Sequence, residues 1–189
     1  MAAPLRWTRS WLARAIPRPN EVTLTVRLLG PEEWGEVCAM RLRALADAPG
    51  NFFATLEQEE TQPEAHWRNL LDGDGKAVFG IFDGGRLVGI TAAFRHRDDP
   101  GGETGGLGMT WLDPAVRGRG GGGVIYDCRL AWARAQGFRR ITVGHRDGNE
   151  PSRRSMLAAG FRPIGRRPYV WPDGAEADDI KYELVLSQT

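Results

Sequence analysis

The alternation of apolar and polar residues along the chain follows two periods, which predicts a domain of mixed α/β type. Runs in which apolar and β-branched residues alternate or cluster predict strands, at residues 22–28, 76–82, 86–97, 109–112, 139–144, 163–171 and 180–186. Apolar residues three and four apart predict helices, at residues 30–46, 63–71, 124–135 and 150–159. The turn Asp83-Gly84-Gly85 predicts an antiparallel hairpin. Residues 51–61 and 98–106 are predicted to be loops.

Composition and charge are ordinary for a soluble globular protein. The 189 residues suffice for one domain, with 41% hydrophobic and 26% charged residues. A net charge of +1 gives no electrostatic reason to expect nucleic acid as a partner. No apolar run approaches the length of a membrane span. We therefore expect a cytoplasmic location.

The cysteines and histidines give no sign of a disulfide or a metal site. Cys38 and Cys128 each lie within an apolar helical pattern, so free thiols are favoured. The three histidines lack metal-ligand spacing. We therefore expect the protein to bind no metal.

Residues 1–20 differ from the rest of the chain in being rich in arginine and free of acidic residues. Such a start resembles a transit peptide, while its internal arginines exclude the continuous apolar core of a secretory signal. An interfacial helix is a further alternative. We favour an N-terminal extension, mobile or packed on the domain, that precedes a domain at residues 22–189.

The most informative stretch is a strand that runs into a glycine-rich turn and then into a helix. It reads MTWLDPAVRGRGGGG at residues 109–123, and Asp113-Pro114 ends the strand. Glycines let backbone N–H groups approach a ligand closely, and a helix N-terminus presents unpaired donors with partial positive charge. Arg117 and Arg119 add fixed positive charge. The pattern predicts a binding site for a pyrophosphate rather than a plain flexible loop.

Two familiar nucleotide-binding motifs fit this stretch poorly. A P-loop needs Lys followed by Ser or Thr after the last glycine, and both are absent. Gly118, Gly120 and Gly123 match the dinucleotide pattern GxGxxG, with Asp147 as the acid for the ribose. However, residues 113–117 separate the strand from the glycines, so a dinucleotide-dependent oxidoreductase is the weaker interpretation.

A third motif matches better. Arg117-x-x-Gly120-x-Gly122 resembles the arginine/glutamine-x-x-glycine-x-glycine signature of the GNAT superfamily of acetyl-CoA-dependent N-acetyltransferases. Leu112-Asp113-Pro114, Ala131-Trp132-Ala133 and Ile141-Thr142-Val143 extend the resemblance. The pattern Asn149-x-x-Ser152-x-Arg154, closing at Gly160-Phe161, is similar to the superfamily's ribosomal-protein N-terminal acetyltransferases.

The resemblance implies a GNAT-type fold, in which helices flank a mixed, mostly antiparallel sheet and two central strands splay around acetyl-CoA. Acetyl-CoA would be the co-substrate. The residues that the resemblance implies for binding it are Thr110, Trp111, Leu112, Arg117, Gly118, Arg119, Gly120, Gly121, Gly122, Gly123 and Asn149. Asn149 also suits the N-cap of the following helix, and the two roles are compatible.

The sequence departs from the family at the general acid. Many members have a tyrosine seven residues after the asparagine, where this chain has Met156, and a thioether cannot donate a proton. Ser155, Tyr169 or water are alternatives, and Tyr169 is our named candidate. Glu103 is the first candidate for the general base, followed by His96 and His145.

The expected reaction is direct transfer of acetyl from acetyl-CoA to a primary amine, either a small molecule or a peptide N-terminus. Phe52 and Phe53 lie in the region that lines the acceptor site in the GNAT fold, although a core role is the usual one for such residues. A non-catalytic acyl-CoA-binding or interaction module is the alternative from another class, and Met156 supports it. A homodimer is expected from the superfamily alone.

Overall fold

The structure is a computed structural model that describes residues 24–96, 98–99 and 101–187. The extension predicted at residues 1–20 lies outside the described residues, so the domain boundaries stay predictions. Within the described ranges, none of the helices is long and apolar enough to cross a membrane.

In the described part of the chain seven strands form one sheet, as the predicted fold class requires. The strands are β1 (Leu24–Leu28), β2 (Lys76–Asp83), β3 (Arg86–Arg95), β4 (Thr104–Leu112), β5 (Arg140–Arg146), β6 (Arg162–Val170) and β7 (Glu176–Val185). Their order across the sheet is β1-β2-β3-β4-β5-β7-β6. Among these strands only β4 and β5 pair in parallel, and every other neighbouring pair is antiparallel. The mixed, mostly antiparallel sheet is therefore confirmed.

Five α-helices among the described residues cover the two faces of this sheet. They are α1 (Trp34–Asp47), α2 (Leu56–Glu60), α3 (Glu64–Leu71), α4 (Gly121–Ala135) and α5 (Glu150–Ala158). Residues of α4 and α5 join the largest apolar cluster, together with alternate residues of the strands such as Val88 and Ile141. Residues of α1 and α3 pack on the opposite face, where Val37 and Trp67 join Val78 in a second cluster. We call these the α4 face and the α1 face.

One helix lies where the sequence predicted a loop. The five residues of α2 fall within residues 51–61, so that prediction was wrong in part. Thr55 caps the helix by accepting from the backbone N–H of Gln58 at 3.1 Å, and Gln58 accepts from the N–H of Thr55 at 3.0 Å. This reciprocal capping stabilises a helix too short to show apolar periodicity.

The central strand β4 begins at Thr104, five residues before the predicted start. Glycines at positions 105, 106 and 108 made that segment look like a loop. The structure gives these glycines a packing role, because a Cβ at Gly105 would lie 2.7 Å from Phe138 and one at Gly106 would lie 2.5 Å from Phe94. Aromatic rings thus cover the strand where its own side chains are missing.

A gap opens between β4 and β5 in the middle of the sheet. The two strands pair only at Thr104–Arg140, Gly105–Ile141 and Gly106–Thr142, although β4 continues to Leu112 and β5 to Arg146. On its other side β4 stays paired with β3, where a bulge sets Met109 and Thr110 opposite Thr91. Met109 has a φ of 55°, the only described non-glycine residue with positive φ. The bulge increases local twist and turns β4 away from β5.

Candidate active site

The glycine loop between β4 and α4 presents unpaired backbone donors. Gly118 and Gly120 adopt left-handed conformations, with φ values of 75° and 80°. Gly120 is the N-cap of α4 and has no side chain with which to cap the helix. The N–H groups of the first turn, which begins at Gly121, therefore remain available to an external acceptor. Such donors at a helix N-terminus form a site for a phosphate group.

The glycines of this loop serve two different purposes. A Cβ at Gly118, Gly120 or Gly123 would meet no atom within 4 Å, so these positions leave space in front of the donors. A Cβ at Gly121, in contrast, would come within 2.5 Å of Leu24, and one at Gly122 within 3.1 Å of the Ser155 hydroxyl. Three glycines thus keep the loop open and two let α4 pack closely.

The two loop arginines differ in their surroundings. Arg117 donates from Nε to the carbonyl oxygen of Leu112 at 2.8 Å and forms an ion pair with Asp47 on α1. Asp47 also accepts from the indole N–H of Trp111 at 2.9 Å. The hydrogen bonds from Arg117 and Trp111 lower the pKa of Asp47 below its ordinary value. Arg119 is exposed and has no ion pair or hydrogen bond within the described ranges.

The edge of β4 that faces β5 has no strand partner beyond Gly106, which leaves its backbone groups available along the gap. Thr110, Trp111 and Leu112, the predicted neighbours of the acetyl-CoA arm, form this wall. Thr110 is exposed and points to the α4 face, while Trp111 is buried on the α1 face. The predicted wall thus precedes the predicted glycine loop directly along the chain, and the contact of both with acetyl-CoA stays a prediction.

Arg129 on α4 is buried against the bulge and was not predicted as a site residue. Its Nη1 donates to the hydroxyls of Thr91 and Thr110, at 2.9 Å each, and its Nε donates to the carbonyl oxygen of Ile125 at 3.3 Å. Its guanidinium lies 4.3 Å from the ring centroid of Tyr126. Burial lowers the pKa of Arg129 below its ordinary value. No carboxylate among the described residues pairs with it.

The residue at the position of the family's tyrosine, Met156, lies in the core and is only 3% exposed. Its neighbour Ser155 hydrogen-bonds to the hydroxyl of Tyr126, which lies beside Arg129. Burial raises the pKa of Tyr126 above its ordinary value. The phenol of Tyr126, which lies on α4, is therefore close to the part of α5 that carries Met156.

Asn149 takes the position of N-cap of α5. Its side-chain oxygen accepts from the backbone N–H of Ser152 at 3.2 Å, which confirms the capping prediction. Asn149 also lines an open cleft of about 430 Å³ at the end of β5, with Arg146 and Asp147. Its contact with the acetyl-CoA arm stays a prediction.

Glu103 lies away from the opening of the gap. It precedes the last paired residue of β4, Gly106, by three residues, which is about 10 Å of strand. Its carboxylate pairs with Arg139 at 3.1 Å and is half exposed. The role of Glu103 as general base stays a prediction.

The two histidines that were alternatives for the base are both engaged in hydrogen bonds. His96 lies nearer to the gap than Glu103 does, with its Nε2 2.7 Å from the hydroxyl of Thr142. The ring nitrogens of His145 lie 2.7 Å from the carbonyl oxygen of Arg146 and 3.3 Å from the hydroxyl of Tyr182. Both imidazoles are thus hydrogen-bonded to residues of strands β5 and β7.

Phe53 and Tyr169 meet on the α1 face. Their ring centroids are 5.2 Å apart, edge to face, and Phe53 stacks on Trp171 at 5.0 Å. Phe53 is 51% exposed, which is unusual for a phenylalanine in such a cluster. Phe52 instead packs toward the core formed by Met40 and Trp111. The structure therefore places Phe53 and Tyr169 on one aromatic surface, and Phe52 beneath it.

Two residues of the α1 face had no distinguishing signal in the sequence. Asp179 on β7 is fully buried and pairs with Arg167 and Lys181. Gly144 on β5 lies directly beneath it. In the sequence Asp179 is one of two adjacent aspartates before a strand, a pattern that is typical of solvated turns. Within the described part of the chain, no cluster of His, Cys, Asp and Glu is arranged to hold a metal ion.

Comparison with known proteins assigns this architecture to a family. The sequence profile of the Acetyltransferase (GNAT) family matches residues 42–161. No curated protein matches the sequence. The fold does not support a dinucleotide-dependent oxidoreductase, because a doubly wound domain has a mainly parallel sheet and the described sheet has one parallel pair.

Solved structures share the fold at low sequence identity. The ribosomal L7/L12 α-N-protein acetyltransferase RimL, in complex with coenzyme A, has a TM-score of 0.70 at 17% identity, covering 89% of this chain and 97% of that one. The structure of yncA from Salmonella typhimurium with its cofactor acetyl-CoA has a TM-score of 0.70 at 20% identity, covering 88% and 96%. A GCN5-related N-acetyltransferase from Kribbella flavida has a TM-score of 0.71 at 20% identity, covering 86% and 98%.

The family profile covers more than half of the chain. It includes the end of α1, the gap between β4 and β5, the glycine loop and α5. This protein therefore belongs to the GNAT family of acetyltransferases and is an acyltransferase.

Proposed function

We propose that this protein transfers acetyl from acetyl-CoA to a primary amine, directly and without a covalent enzyme intermediate. The observation that carries the proposal is the continuity between the glycine loop and the gap. The glycine loop with its unpaired donors, residues 118–123, follows closely on β4, and the edge of β4 beyond Gly106 has no strand partner along the gap. A ligand with a pyrophosphate and a long, amide-containing arm matches both parts.

The donor half of the site acts through backbone groups. The N–H groups at the start of α4 bind the pyrophosphate, and Arg119 adds charge at the surface. The arm lies along β4 as an extra strand would, with its amides bonded to the free edge. A β4 N–H near the bulge polarises the thioester carbonyl and stabilises the oxyanion that forms when the amine attacks. RimL and yncA were solved with CoA and acetyl-CoA, which supports this donor.

The acceptor half lies on the α1 face. A deprotonated amine reaches the thioester carbonyl from this side, across the gap, and the sulfur leaves toward the α4 face. Direct transfer is favoured because neither cysteine is suited to act as a nucleophile. Burial raises the pKa of Cys128 to about 11, and burial together with the charge of Glu59 raises the pKa of Cys38. Neither thiol is ionised near neutral pH, and the thiolate is the nucleophilic form.

The acceptor is a small-molecule amine or a peptide N-terminus. A further structural neighbour, an acetyl transferase from Salmonella typhimurium, modifies the N-terminal serine of 50S ribosomal subunit protein L7/L12, which supports the peptide. The pattern Asn149-x-x-Ser152-x-Arg154 is similar to that branch. The exposed aromatic surface of Phe53 suits either acceptor.

A non-catalytic acyl-CoA-binding module is the second candidate. It rests on Met156, whose thioether is buried and cannot protonate a leaving thiolate. This candidate predicts binding of acetyl-CoA with no turnover on any amine.

Two measurements separate these functions. In the first, melting temperature is recorded with acetyl-CoA, CoA, NAD and NADP in parallel, because a ligand of the folded state stabilises it by about 2.7 kcal/mol at a hundredfold excess over Kd. We expect a shift with the two CoA species only. In the second, release of free CoA thiol is followed with a panel of primary amines. Turnover supports the transferase, and binding without turnover supports the second candidate.

A further inference from the structure

Asp179 has one carboxylate oxygen that the fold leaves without a partner. The side chain is fully buried, and Oδ2 receives both Nε of Arg167 at 3.1 Å and Nζ of Lys181 at 3.0 Å. Oδ1 is also buried, but it has no hydrogen bond to any described residue. A buried acceptor that lacks a donor costs free energy, typically about 1–3 kcal/mol and more for a charged group. A buried acceptor without a donor calls for a physical reason, and a ligand that donates a hydrogen bond to it would supply that reason.

The free oxygen lies at the gap. A Cβ at Gly144 would be 2.8 Å from Oδ1 of Asp179 and 3.1 Å from Nζ of Lys181, so Oδ1 stands directly over this glycine. Gly144 is two residues beyond Thr142, the last residue of β5 that pairs with β4. Any larger residue at position 144 would push the carboxylate away. The combination of glycine and free oxygen places a buried polar atom beside Gly144, just past the end of the β4–β5 pairing, on the α1 face.

An aromatic wall continues from this carboxylate. Nζ of Lys181 lies 5.5 Å from the ring centroid of Phe53, so the ring and Asp179 are neighbours around one ammonium group. Phe53 is the exposed part of that wall and Tyr169 is half-buried, and the buried ring of Trp171 supports both. Nζ of Lys181 is thus an alkyl ammonium group that lies between the carboxylate and the Phe53 ring.

The charges around Asp179 favour a neutral amine over an ammonium ion. Arg167 and Lys181 contribute two positive charges against the single negative charge of the carboxylate. A nearby positive charge lowers the pKa of an amine because it disfavours the protonated form. The neutral amine is the nucleophile in acetyl transfer, and its N–H groups are the donors that Oδ1 lacks.

We propose that Oδ1 of Asp179 accepts an N–H of the acceptor, and that the acceptor is a primary alkyl amine whose carbon chain lies on Phe53 and Tyr169. The inference rests on the proposed function. The amine nitrogen bonds to the thioester carbonyl carbon and the carbon–sulfur bond breaks. The proton that nitrogen loses passes to Oδ1 and then to solvent, while the thiolate takes a proton from solvent. Amine and thioester thus give amide and thiol, with Asp179 unchanged.

The first test compares Asp179→Asn with Asp178→Asn. Asp178 is the neighbouring residue, and its substitution removes a single, more exposed ion pair, with Arg166. Release of CoA thiol is measured with three probes: putrescine, free lysine, and a short peptide with a free N-terminus and no lysine. We expect kcat to fall at least about a hundredfold in Asp179→Asn, with the CoA-induced melting shift kept, and to change less than about threefold in Asp178→Asn.

The second test leaves the carboxylate in place. Gly144→Ala puts a methyl group against Oδ1, and Gly165→Ala is its control, because a Cβ there meets nothing within 4 Å. We expect kcat/KM for the amine to fall at least about tenfold in Gly144→Ala only, with CoA binding unchanged. This variant keeps the test informative if Asp179→Asn does not fold.

Each contrary outcome has a definite meaning. If both variants keep turnover within about threefold of wild type, the inference is overturned while the proposed function stands. If Glu103→Gln then loses turnover in the same assay, the general base is Glu103. If wild type binds CoA but acetylates none of the probes, the alkyl-amine class is overturned. If wild type does not bind CoA, the proposed function fails, and the inference fails with it.

Discussion

The two halves of the site are built from different chemistry. In the proposed function, the donor half is made of the glycine loop and the free edge of β4, and it uses backbone N–H groups from one continuous segment, residues 107–123. The proposed acceptor half uses side chains that are far apart in sequence, from Phe53 on a loop to Asp179 on β7. Backbone chemistry leaves a glycine signature that can be read directly, whereas a side-chain site exists only once the sheet has formed. This difference explains why the family is evident and the acceptor is not.

The largest effect within the donor half is expected from Gly120→Ala. Gly120 has a φ of 80°, a conformation that costs an alanine about 1–2 kcal/mol, and a Cβ there would enter open space at the N-cap of α4. Loss of one charge-assisted hydrogen bond, about 1.5–3 kcal/mol, raises the Kd for CoA roughly 10- to 100-fold. Isothermal titration with CoA measures the change.

The control for Gly120→Ala is Gly84→Ala. Gly84 also has a positive φ, at 55°, and open space around its Cβ, but it lies in the hairpin turn between β2 and β3. It experiences the same kind of backbone strain far from the loop. If both variants lower the melting temperature and only Gly120→Ala weakens CoA binding, the donor site is the loop. Equal CoA binding in the two variants would contradict this.

Arg129→Met is expected to affect both halves, because Arg129 holds the bulge that opens the gap. Burying a charge without a carboxylate partner is costly, so an apolar side chain of similar length should leave the melting temperature unchanged or raise it. Turnover should nevertheless fall about tenfold, since one hydrogen bond to Thr110 is worth about 1–1.5 kcal/mol. Stability and turnover are measured on the same preparation.

Arg134→Met is the matched control, since Arg134 is exposed on the same helix. We expect Arg134→Met to change neither the melting temperature nor the turnover. A large drop in the melting temperature of Arg129→Met would show instead that the buried guanidinium stabilises the fold, and that its contribution is structural and not specific to the site.

The limits of sequence reasoning follow the same division. The seven strands, the N-cap role of Asn149 and the GNAT fold were predictable, because periodicity, capping and glycine patterns are local. The early start of β4 was missed because Phe138 and Phe94 supply the packing that Gly105 and Gly106 lack. Nothing local marks Asp179 as buried, since its partners Arg167 and Lys181 are contributed by two strands. Tertiary pairing decides such positions.

Smaller effects on CoA binding and on stability should distinguish the roles of the two loop arginines. Arg117 is held by Asp47 and the carbonyl oxygen of Leu112, whereas Arg119 is exposed. We expect Arg119→Ala to raise the Kd for CoA about three- to fivefold, as a surface charge pair worth about 0.5–1 kcal/mol would, with an effect that shrinks in salt. The melting temperature should not change.

Arg117→Ala should affect stability more than CoA binding. We expect a lower melting temperature and less than about a threefold change in the Kd for CoA. If instead Arg117→Ala weakens CoA binding more than Arg119→Ala does, Arg117 leaves Asp47 to contact the phosphates. Titrations at low and high salt, run in parallel on both variants, distinguish these results.

The smallest effect concerns the ion pair between Asp47 on α1 and Arg117 in the glycine loop. Hydrogen bonds from Arg117 and Trp111 lower the pKa of Asp47 below its ordinary value of 3.8. Because the folded-state pKa is the lower one, the ionised carboxylate stabilises the fold fully above about pH 3.8 and loses its contribution as the pH falls through the folded-state value. Asp47→Asn should lower the melting temperature by about 2 °C at pH 7. The difference from wild type should stay constant above about pH 3.8 and narrow as the pH falls below it, and a difference that stays constant below this pH as well would show that Asp47 acts through packing and not through its charge.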